Sequence, residues 1–259
     1  MTSIKNSHVL ITGATGGFGQ QLTRQLSQKG AKLLLADVNS TALEELASQY
    51  EESITGVVAS DLSTPAGSDA LYQQAQATGK PVDVLINNAG IAFYGRIDET
   101  PNETWEKLMD INLRAPMRLI AHFLPEMIER RSGHIVNISS VAGLVGPKGL
   151  SVYAASKFGL RGFSEGLHEE VKKHNVKVTT VYPYFSRTPI LDIPSYGSLG
   201  ESRAELPENH ITDPASVMAA VVKGIEHNTL HVYPDRFSQV IQLLKRYAPR
   251  LLNQLVPAN

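Results

Sequence analysis

Residues 8–37, HVLITGATGGFGQQLTRQLSQKGAKLLLAD, contain one full alternation of strand and helix patterns. The aliphatic and β-branched run over residues 8–12 predicts a short buried strand, and a glycine-rich turn follows it. Leucines on one face predict a helix over residues 20–29, and a second apolar strand over residues 32–36 comes next. A strand, a turn, a helix and a strand in this order predict the repeating unit of a layered α/β fold.

The glycine-rich turn has the composition of a loop that binds the pyrophosphate of a dinucleotide. Its glycines, Gly13, Gly16, Gly17 and Gly19, permit positive φ angles and let the backbone approach phosphate oxygens without a Cβ clash. The following helix presents unpaired N–H groups and the positive end of its dipole to the same anion. A plain connecting loop is the alternative, and the flanking strand and helix disfavour it.

Asp37 ends the second strand of this unit. A carboxylate there can accept hydrogen bonds from both hydroxyls of an adenosine ribose, whereas a 2′-phosphate would meet a like charge. Val38 follows it, and the turn has Gly16 instead of a basic residue. These residues favour NAD over NADP as the cofactor.

The composition limits the classes of protein to which the chain can belong. It has 259 residues, 42% hydrophobic and 19% charged, with a net charge of −1, which suits a single α/β domain over residues 1–259. The lack of a basic excess argues against nucleic acid as a partner, and the absence of cysteine and of paired histidine spacing argues against a metal site. With no apolar leader and no apolar run of ~18 residues, we expect a cytoplasmic protein without a transmembrane segment.

The alternation continues along the chain. Further helices are predicted over residues 41–49, 66–78, 104–124, 158–173 and 214–225. Further strands are predicted over residues 54–59, 82–86, 134–140, 176–182 and 230–233. Two of these strands end in polar residues, at the edge of an α/β sheet where ligands bind.

Asp61 and Leu62 follow the third predicted strand. Asp61 either accepts a hydrogen bond from the adenine amino group, with Leu62 as a wall of the adenine site, or is the N-cap of the next helix. The residues favour neither role over the other.

Asn87, Asn88, Ala89 and Gly90 follow the fourth strand. Small residues at this point let the backbone pass close under a cofactor. For Asn87 we favour a different role, in which its side chain ties neighbouring strands together by hydrogen bonds.

Tyr153 and Lys157 lie one helical turn apart, so their side chains project from one face. A nearby cation lowers the pKa of a phenol from its ordinary ~10, but a shift of ~3 units needs about 4 kcal/mol. A second cation, such as an oxidised nicotinamide ring, would have to assist Lys157. A solvated lysine beside a packing tyrosine is the alternative. Ser140 ends the preceding strand, and a Gly-Pro-Lys-Gly loop allows the chain to return from it toward Tyr153.

Asn112 lies among apolar residues of the long helix predicted over residues 104–124. It is either a core amide satisfied by backbone groups or a residue that distorts the helix and holds a water against Lys157. Pro116 can kink or restart the same helix.

Two segments in the last third of the chain differ from the rest. Residues 190–211 have weak periodicity and many turn formers, which predicts a loop that acts as a substrate lid. Residues 235–256 carry an apolar stripe interrupted by Pro249, which predicts two amphipathic helices. Such a tail packs on its own core or on a partner subunit, with a membrane surface as a less favoured alternative.

Together these motifs resemble the short-chain dehydrogenase/reductase family. The matching residues, in chain order, are Thr12-Gly13-x-x-x-Gly17-x-Gly19, Asn87-Asn88-Ala89-Gly90, Asn112, Ser140, Tyr153-x-x-x-Lys157, Pro183 and Thr188. The resemblance covers roughly residues 5–235. It implies a Rossmann-like three-layer α/β/α sandwich with a mostly parallel seven-stranded sheet, assembled as a homodimer or homotetramer.

The resemblance also implies roles for individual residues. Tyr153 is the catalytic acid/base, Ser140 holds the substrate oxygen, Lys157 lowers the pKa of Tyr153 and binds the nicotinamide ribose, and Asn112 anchors a water relay. The expected cofactor contacts are Thr12, Gly13, Gly17, Phe18, Gly19, Asp37, Asp61, Leu62, Asn88, Ala89, Gly90, Tyr153, Lys157, Pro183 and Thr188, the last on the nicotinamide carboxamide. Tyr184 replaces the usual glycine of the family, which puts its ring near the nicotinamide or the substrate.

The motifs and the resemblance predict an NAD(H)-dependent oxidoreductase that interconverts a secondary alcohol and a ketone or aldehyde. Apolar residues of the lid, with Phe93 and Tyr94, favour a hydrophobic small-molecule substrate. In oxidation, the phenolate of Tyr153 removes the hydroxyl proton as hydride passes to the nicotinamide. The alternatives are a dinucleotide sensor or scaffold that has lost catalysis, and the same chemistry with NADP(H).

Overall fold

The structure, a computed structural model, describes residues 1–201 and 207–255, with side chains up to Leu252. Its strands, within those ranges, are β1 (His8–Thr12), β2 (Lys32–Asp37), β3 (Ile54–Ala59), β4 (Val84–Asn87), β5 (Tyr94–Gly95), β6 (Gly133–Ile138), β7 (Val176–Val181), β8 (Ser195–Tyr196) and β9 (His231–Val232). Seven of them form one sheet in the order β3-β2-β1-β4-β6-β7-β9, and β5 pairs with β8 in a second. Every neighbouring pair is parallel.

Helices connect these strands. They are α1 (Gly17–Gln28), α2 (Ser40–Ser48), α3 (Pro65–Ala77), α4 (Asn102–Met109), α5 (Ala115–Glu129), α6 (Ser151–Val171), α7 (Gly197–Glu201), α8 (Pro214–Glu226), α9 (Arg236–Tyr247) and α10 (Pro249–Leu255). In the described part of the chain, none of them combines the length and the apolar character needed to cross a bilayer.

Alternate strand residues bury on opposite faces of the sheet. Val9 and Ile11 of β1 pack into one cluster with residues of α1 and α8, and Leu10 packs into another with residues of α3, α5 and α6. Because both faces are covered, buried aliphatic residues predominate in the central strands. The predicted three-layer α/β/α sandwich around a seven-stranded sheet is confirmed, and the sheet is wholly parallel.

The strand order reverses between β1 and β4. The chain runs outward from β1 to β3, then returns to place β4 beside β1 on the other side. In sheets of this kind the crevice outside the carboxyl ends of the strands at that point is where ligands bind. The residues after β1, β2, β4 and β6 therefore converge on one edge.

Two helices begin earlier than predicted. Gly17 and Gly19, which were assigned to the turn, lie in the first turn of α1, which starts at Gly17 instead of residue 20. Helix α6 starts at Ser151 instead of residue 158, because Gly149, with φ +77°, reverses the chain just before it. Tyr153 and Lys157 therefore both lie on α6.

The helix predicted over residues 104–124 is interrupted. Helices α4 and α5 are joined by a π-helical segment, Asp110–Arg114, which contains Asn112. Pro116 lies at the start of α5, where its missing N–H does no harm. Asn112 thus lies in a distorted helix, which agrees with the predicted role in which it distorts the helix.

Residues 190–211, predicted to be a loop that acts as a substrate lid, contain short regular elements in the part that the structure describes, and the role as a lid stays a prediction. A 3₁₀ turn, Pro189–Leu191, leads into β8 and α7, and residues 202–206 lie outside the described ranges. Strand β8 gains its order by pairing with β5, a partner about a hundred residues away in the chain. The tail forms the two predicted helices, α9 and α10, with Pro249 at the break, and Val256 lies outside the described residues.

Candidate active site

The glycine-rich turn joins the end of β1 to α1. Gly13 adopts φ +64°, and the N–H of Ala14 donates to the carbonyl of Ala36 at 3.1 Å, which ties the turn to β2. Helix α1 then begins at Gly17 with no side-chain cap and no acidic residue in its first turn. Its N–H groups and the positive end of its dipole are therefore suited to an anion.

The turn is packed so closely against neighbouring protein atoms that three of its positions have no room for a Cβ. A Cβ on Gly19 would lie 2.2 Å from the carbonyl oxygen of Gly13, and one on Gly13 would lie 2.7 Å from the Cα of Ala89. A Cβ on Gly17 would lie 2.6 Å from the Cγ2 of Thr188. Thr188, for which the family resemblance implies a contact with the nicotinamide carboxamide, thus packs against the glycine-rich turn.

Thr12 and Asn88 fasten the ends of β1 and β4 together. The hydroxyl of Thr12 accepts hydrogen bonds from the N–H groups of Asn88 at 3.0 Å and Ala89 at 3.1 Å. The amide of Asn88 donates to the carbonyls of Thr12 and Gly13 at 3.0 and 2.9 Å. These contacts fix the floor of the crevice, so Thr12 and Asn88 act at least as positioning residues.

The Asp37 carboxylate is held by backbone donors at the edge of the crevice. One oxygen accepts from the N–H of Thr15 in the glycine-rich turn at 3.0 Å. The other accepts from the N–H groups of Val38 at 2.8 Å and Asn39 at 3.3 Å. Its position beside the turn agrees with the predicted ribose contact, and it also orders the turn itself.

Asp61 is not the N-cap of the helix that follows it. The cap of α3 is Thr64, whose hydroxyl accepts from the N–H of Gly67. Asp61 instead accepts from Ser63, whose side chain and, next, backbone N–H (at 2.9 Å) lower the pKa of the Asp61 carboxyl. Of the two roles considered for Asp61, the N-cap is therefore wrong. The contact with adenine, with Leu62 as its wall, stays a prediction.

Tyr153, Ser140 and Lys157 meet where β6 ends against α6. The hydroxyl of Ser140 hydrogen-bonds to the half-buried Tyr153 and also lies 3.5 Å from the carbonyl oxygen of Pro183. Lys157 is 4% exposed, and its Nζ donates to the carbonyl of Ile138 at 2.9 Å. The same Nζ lies 5.6 Å from the centroid of the Tyr153 ring. The three predicted catalytic side chains are therefore brought together.

The pKa values of these groups follow from burial. Burial raises the pKa of Tyr153 above its ordinary value, and the hydrogen bond with Ser140 opposes that rise. Burial lowers the pKa of Lys157 to about 8, which still leaves an ammonium at neutral pH. The lowered phenol pKa expected from the Tyr153–Lys157 spacing is thus not produced by the polypeptide alone.

Asn112 lies at the back of the site and is fully buried. Its Oδ1 accepts from the N–H of Ile91 at 2.9 Å, and its Nδ2 donates to the carbonyl of Ile91 at 2.8 Å. A Cβ on Gly90 would lie 3.3 Å from this Oδ1 and 3.5 Å from the Lys157 Nζ. The backbone after β4 therefore passes directly beside both Asn112 and Lys157. Satisfaction by backbone groups, the first of the two predicted roles, is confirmed alongside the helix distortion.

The cross-strand role predicted for Asn87 is confirmed. Its Nδ2 donates to the Oδ1 of Asn137 on β6 at 2.8 Å, and Asn137 in turn donates to the hydroxyl of Ser164 on α6 at 2.9 Å. The chain Asn87, Asn137 and Ser164 is buried and fixes β4, β6 and α6 relative to one another. The polar Asn137 inside an apolar strand was a signal that sequence reasoning passed over.

Tyr184, predicted to touch nicotinamide or substrate, packs on the tail. Its ring stacks on that of Phe237 in α9 with centroids 4.8 Å apart, and its N–H donates to Asp235 at 3.0 Å. Because Tyr184 directly follows Pro183, the loop after β7 and the start of α9 form one wall beside the site. Sequence reasoning did not identify Asp235, which also caps α9.

Comparison with known proteins identifies the family. A family model described as short chain dehydrogenase matches residues 7–193. The chain belongs to the short-chain dehydrogenase family. Mouse dehydrogenase/reductase SDR family member 7B is 36% identical over 214 residues, which are 78% of this chain and 66% of that protein. Mouse epidermal retinol dehydrogenase 2 is 35% identical over 93% of this chain and 78% of its own length. An Acinetobacter acetoacetyl-CoA reductase is 33% identical over 88% of this chain and 94% of its own length.

Solved structures of short-chain dehydrogenases share the fold. One from Burkholderia phymatum in complex with NAD has a TM-score of 0.83 at 24% identity and covers 100% of this chain and 98% of its own. One from Sphingobium yanoikuyae in complex with NADPH has a TM-score of 0.81 at 28% identity and covers 98% of each chain. The chain is thus an oxidoreductase of a family that binds NAD or NADP.

Proposed function

We propose that the chain interconverts a secondary alcohol and a ketone or aldehyde with NAD(H), and that Tyr153 transfers the proton. The observation that carries this proposal is the meeting of Tyr153, Ser140 and Lys157 at the edge of the sheet beside Gly90. A dinucleotide bound along Gly13, Gly17 and Thr188 would supply or accept the hydride.

The protein groups have separate tasks in this reaction. Ser140 donates a hydrogen bond to the substrate oxygen. Tyr153 gives its proton to that oxygen when the carbonyl carbon gains hydride, and takes the proton back when the alcohol is oxidised. The Lys157 ammonium, held by the carbonyl of Ile138, stabilises the phenolate that reduction leaves behind. Asn112, through Ile91, keeps the strand end beside this group in place.

Three features support the finer assignments. Asp37 at the end of β2 favours NAD, since a 2′-phosphate would meet its charge. The ring of Phe93 packs edge-on against Tyr196 at 5.9 Å, which gives the lid an apolar inner side and supports a hydrophobic substrate. Met117 and Phe158 are 40% and 39% exposed on α5 and α6, which supports a homodimer or homotetramer.

The test is to measure turnover and NADH affinity for the wild type, Tyr153→Phe and the distant control Tyr50→Phe against a panel of alcohols and ketones. We expect Tyr153→Phe to lose at least ~10²-fold in turnover, the range for general acid catalysis, with NADH affinity within a few-fold. Tyr50→Phe should behave as wild type. Equal NADH binding with no turnover in the wild type would instead identify a dinucleotide sensor.

A further inference from the structure

Helix α9 carries two apolar stripes, of which only one faces the protein. Phe237, stacked on Tyr184, lies on the inner side with other half-buried apolar residues. Val240, Leu243 and Tyr247, at positions i, i+3 and i+7, are 52%, 52% and 71% exposed. Leu251 of α10 adds a fourth exposed apolar side chain at 46%. A helix that only packs on its own domain needs one apolar face, so the outer stripe needs another explanation.

The same segment is uniformly basic. Arg236, Lys245, Arg246 and Arg250 are its charged residues, and all 25 acidic residues of the chain precede residue 236. All four basic side chains are exposed, and none forms an ion pair with another residue that the structure describes. Positive charge is therefore concentrated beside the exposed apolar stripe, on a chain whose net charge is −1.

We propose that this outer face of α9 and α10 binds the surface of an anionic phospholipid bilayer, with α9 lying in the plane of the headgroups. An apolar stripe flanked by Lys and Arg, without acidic residues, fits both the acyl boundary and the negative headgroups. The Arg246 guanidinium lies 5.3 Å from the ring of Tyr247, so a cation and an aromatic ring are presented side by side. A second copy of the same face is a poor partner, because a two-fold contact would oppose basic residues to basic residues.

The position of α9 adds a consequence for the site. Phe237 stacks on Tyr184, which follows Pro183, and the carbonyl of Pro183 lies 3.5 Å from the Ser140 hydroxyl. A bilayer on the outer face of α9 would therefore lie one helix away from the wall of the site, which suits uptake of a hydrophobic substrate from the lipid. This consequence rests on the proposed function, whereas the binding itself does not.

The test is cosedimentation of the full chain, without cofactor or substrate, with vesicles of phosphatidylcholine alone or mixed with phosphatidylglycerol. We expect binding only to the anionic vesicles, and weaker binding as salt is raised. Since each basic residue near such a surface contributes roughly fivefold, Lys245→Gln with Arg246→Gln should lower the partition coefficient roughly 30-fold. Leu243→Glu should abolish binding. The matched control, Arg24→Gln with Lys80→Gln, removes two exposed charges elsewhere and should bind as wild type.

Circular dichroism and thermal melting confirm that each variant is folded. The proposal is overturned if neither vesicle type binds the wild type, or if the α9 variants bind like the control. It is also overturned if Leu243→Glu dissociates an oligomer in sedimentation velocity while vesicle binding is unchanged, since the face would then be a subunit interface. Because the readout is lipid binding, a lack of alcohol or ketone turnover would refute the proposed function alone.

Discussion

Replacing Lys157 by methionine should stabilise the fold at neutral pH while removing the proposed activity. The side chain is 4% exposed, and its ammonium has the carbonyl of Ile138 as hydrogen-bond acceptor. Burial lowers its pKa from 10.5 to about 8, which corresponds to about 3 kcal/mol of unfavourable free energy for keeping the buried group charged. Methionine occupies a similar volume without that charge, but leaves the Ile138 carbonyl unpaired, which costs about 1 kcal/mol. The net gain at pH 7 is about 2 kcal/mol.

The difference in free energy of unfolding between the wild type and Lys157→Met should depend on pH, and this dependence tests the burial of the charge more directly than its value at pH 7. Below about pH 8 the ammonium is charged in the folded and the unfolded chain, so the wild type carries the whole penalty. Between about pH 8 and 10.5 the unfolded chain holds the proton and the folded chain does not, so the free energy of unfolding of the wild type rises with pH. In Lys157→Met this contribution is absent. The two stability curves should therefore cross, with the wild type more stable at the alkaline end.

The assay is urea denaturation of the wild type, Lys157→Met and the exposed control Lys173→Met at a series of pH values from neutral to alkaline, without cofactor. Subtracting the stability curve of each variant from that of the wild type cancels the contribution of all other titrating groups. The difference between wild type and Lys157→Met should change by about 3 kcal/mol across the window. The difference between the wild type and Lys173→Met should not change with pH. A flat difference for Lys157→Met, or a variant less stable than wild type at pH 7, would refute the burial of a charged lysine.

Three further changes test other parts of the site. Asp37→Asn keeps an acceptor for the Thr15 N–H but removes the charge that a 2′-phosphate meets, so NADPH affinity should rise roughly 10- to 30-fold with NADH affinity changed less, measured by nicotinamide fluorescence. Glu99→Ala removes the carboxylate that accepts from the Ser198 N–H at 2.7 Å, so the lid should be cleaved faster in limited proteolysis and KM should rise more than kcat falls. Asn137→Ala removes two buried hydrogen bonds, with Asn87 and with Ser164, and should lower the free energy of unfolding by roughly 2–3 kcal/mol in urea titration, whereas the same change at exposed Asn102 should have little effect.

The local sequence pattern was sufficient to predict the alternating strands and helices of the fold. Apolar runs such as residues 8–12 and 32–36, each followed by a helix, already required a parallel sheet covered on both faces. Asn87 could be assigned because a polar residue at the end of a buried strand needs a hydrogen-bond partner, and the nearest one lies on the adjacent strand. Pro249 marked the break between α9 and α10 because proline cannot continue a helix.

Features that depend on distant partners could not be predicted from the same patterns. The π turn over Asp110–Arg114 shifts the helix by one residue, which leaves the apolar periodicity nearly unchanged. Strands β5 and β8 have two residues each, too few to show alternation, and their order comes from pairing with one another. The close packing of Thr188 against Gly17 joins residues that are distant in the chain, and only the folded chain reveals it.

The electrostatics of the site bear on the direction in which Tyr153 moves a proton. Burial raises its pKa, and the Lys157 ammonium, engaged with the Ile138 carbonyl and 5.6 Å from the ring centroid, does not reverse that rise. The polypeptide therefore keeps the phenol protonated at neutral pH, the state that donates to a carbonyl oxygen in reduction. As a base in oxidation, Tyr153 needs one more positive charge nearby, which an oxidised nicotinamide carries and a reduced one lacks. Under the proposed function, Tyr153 is ready as an acid in the protein alone, whereas it becomes a competent base only when the oxidised cofactor is bound.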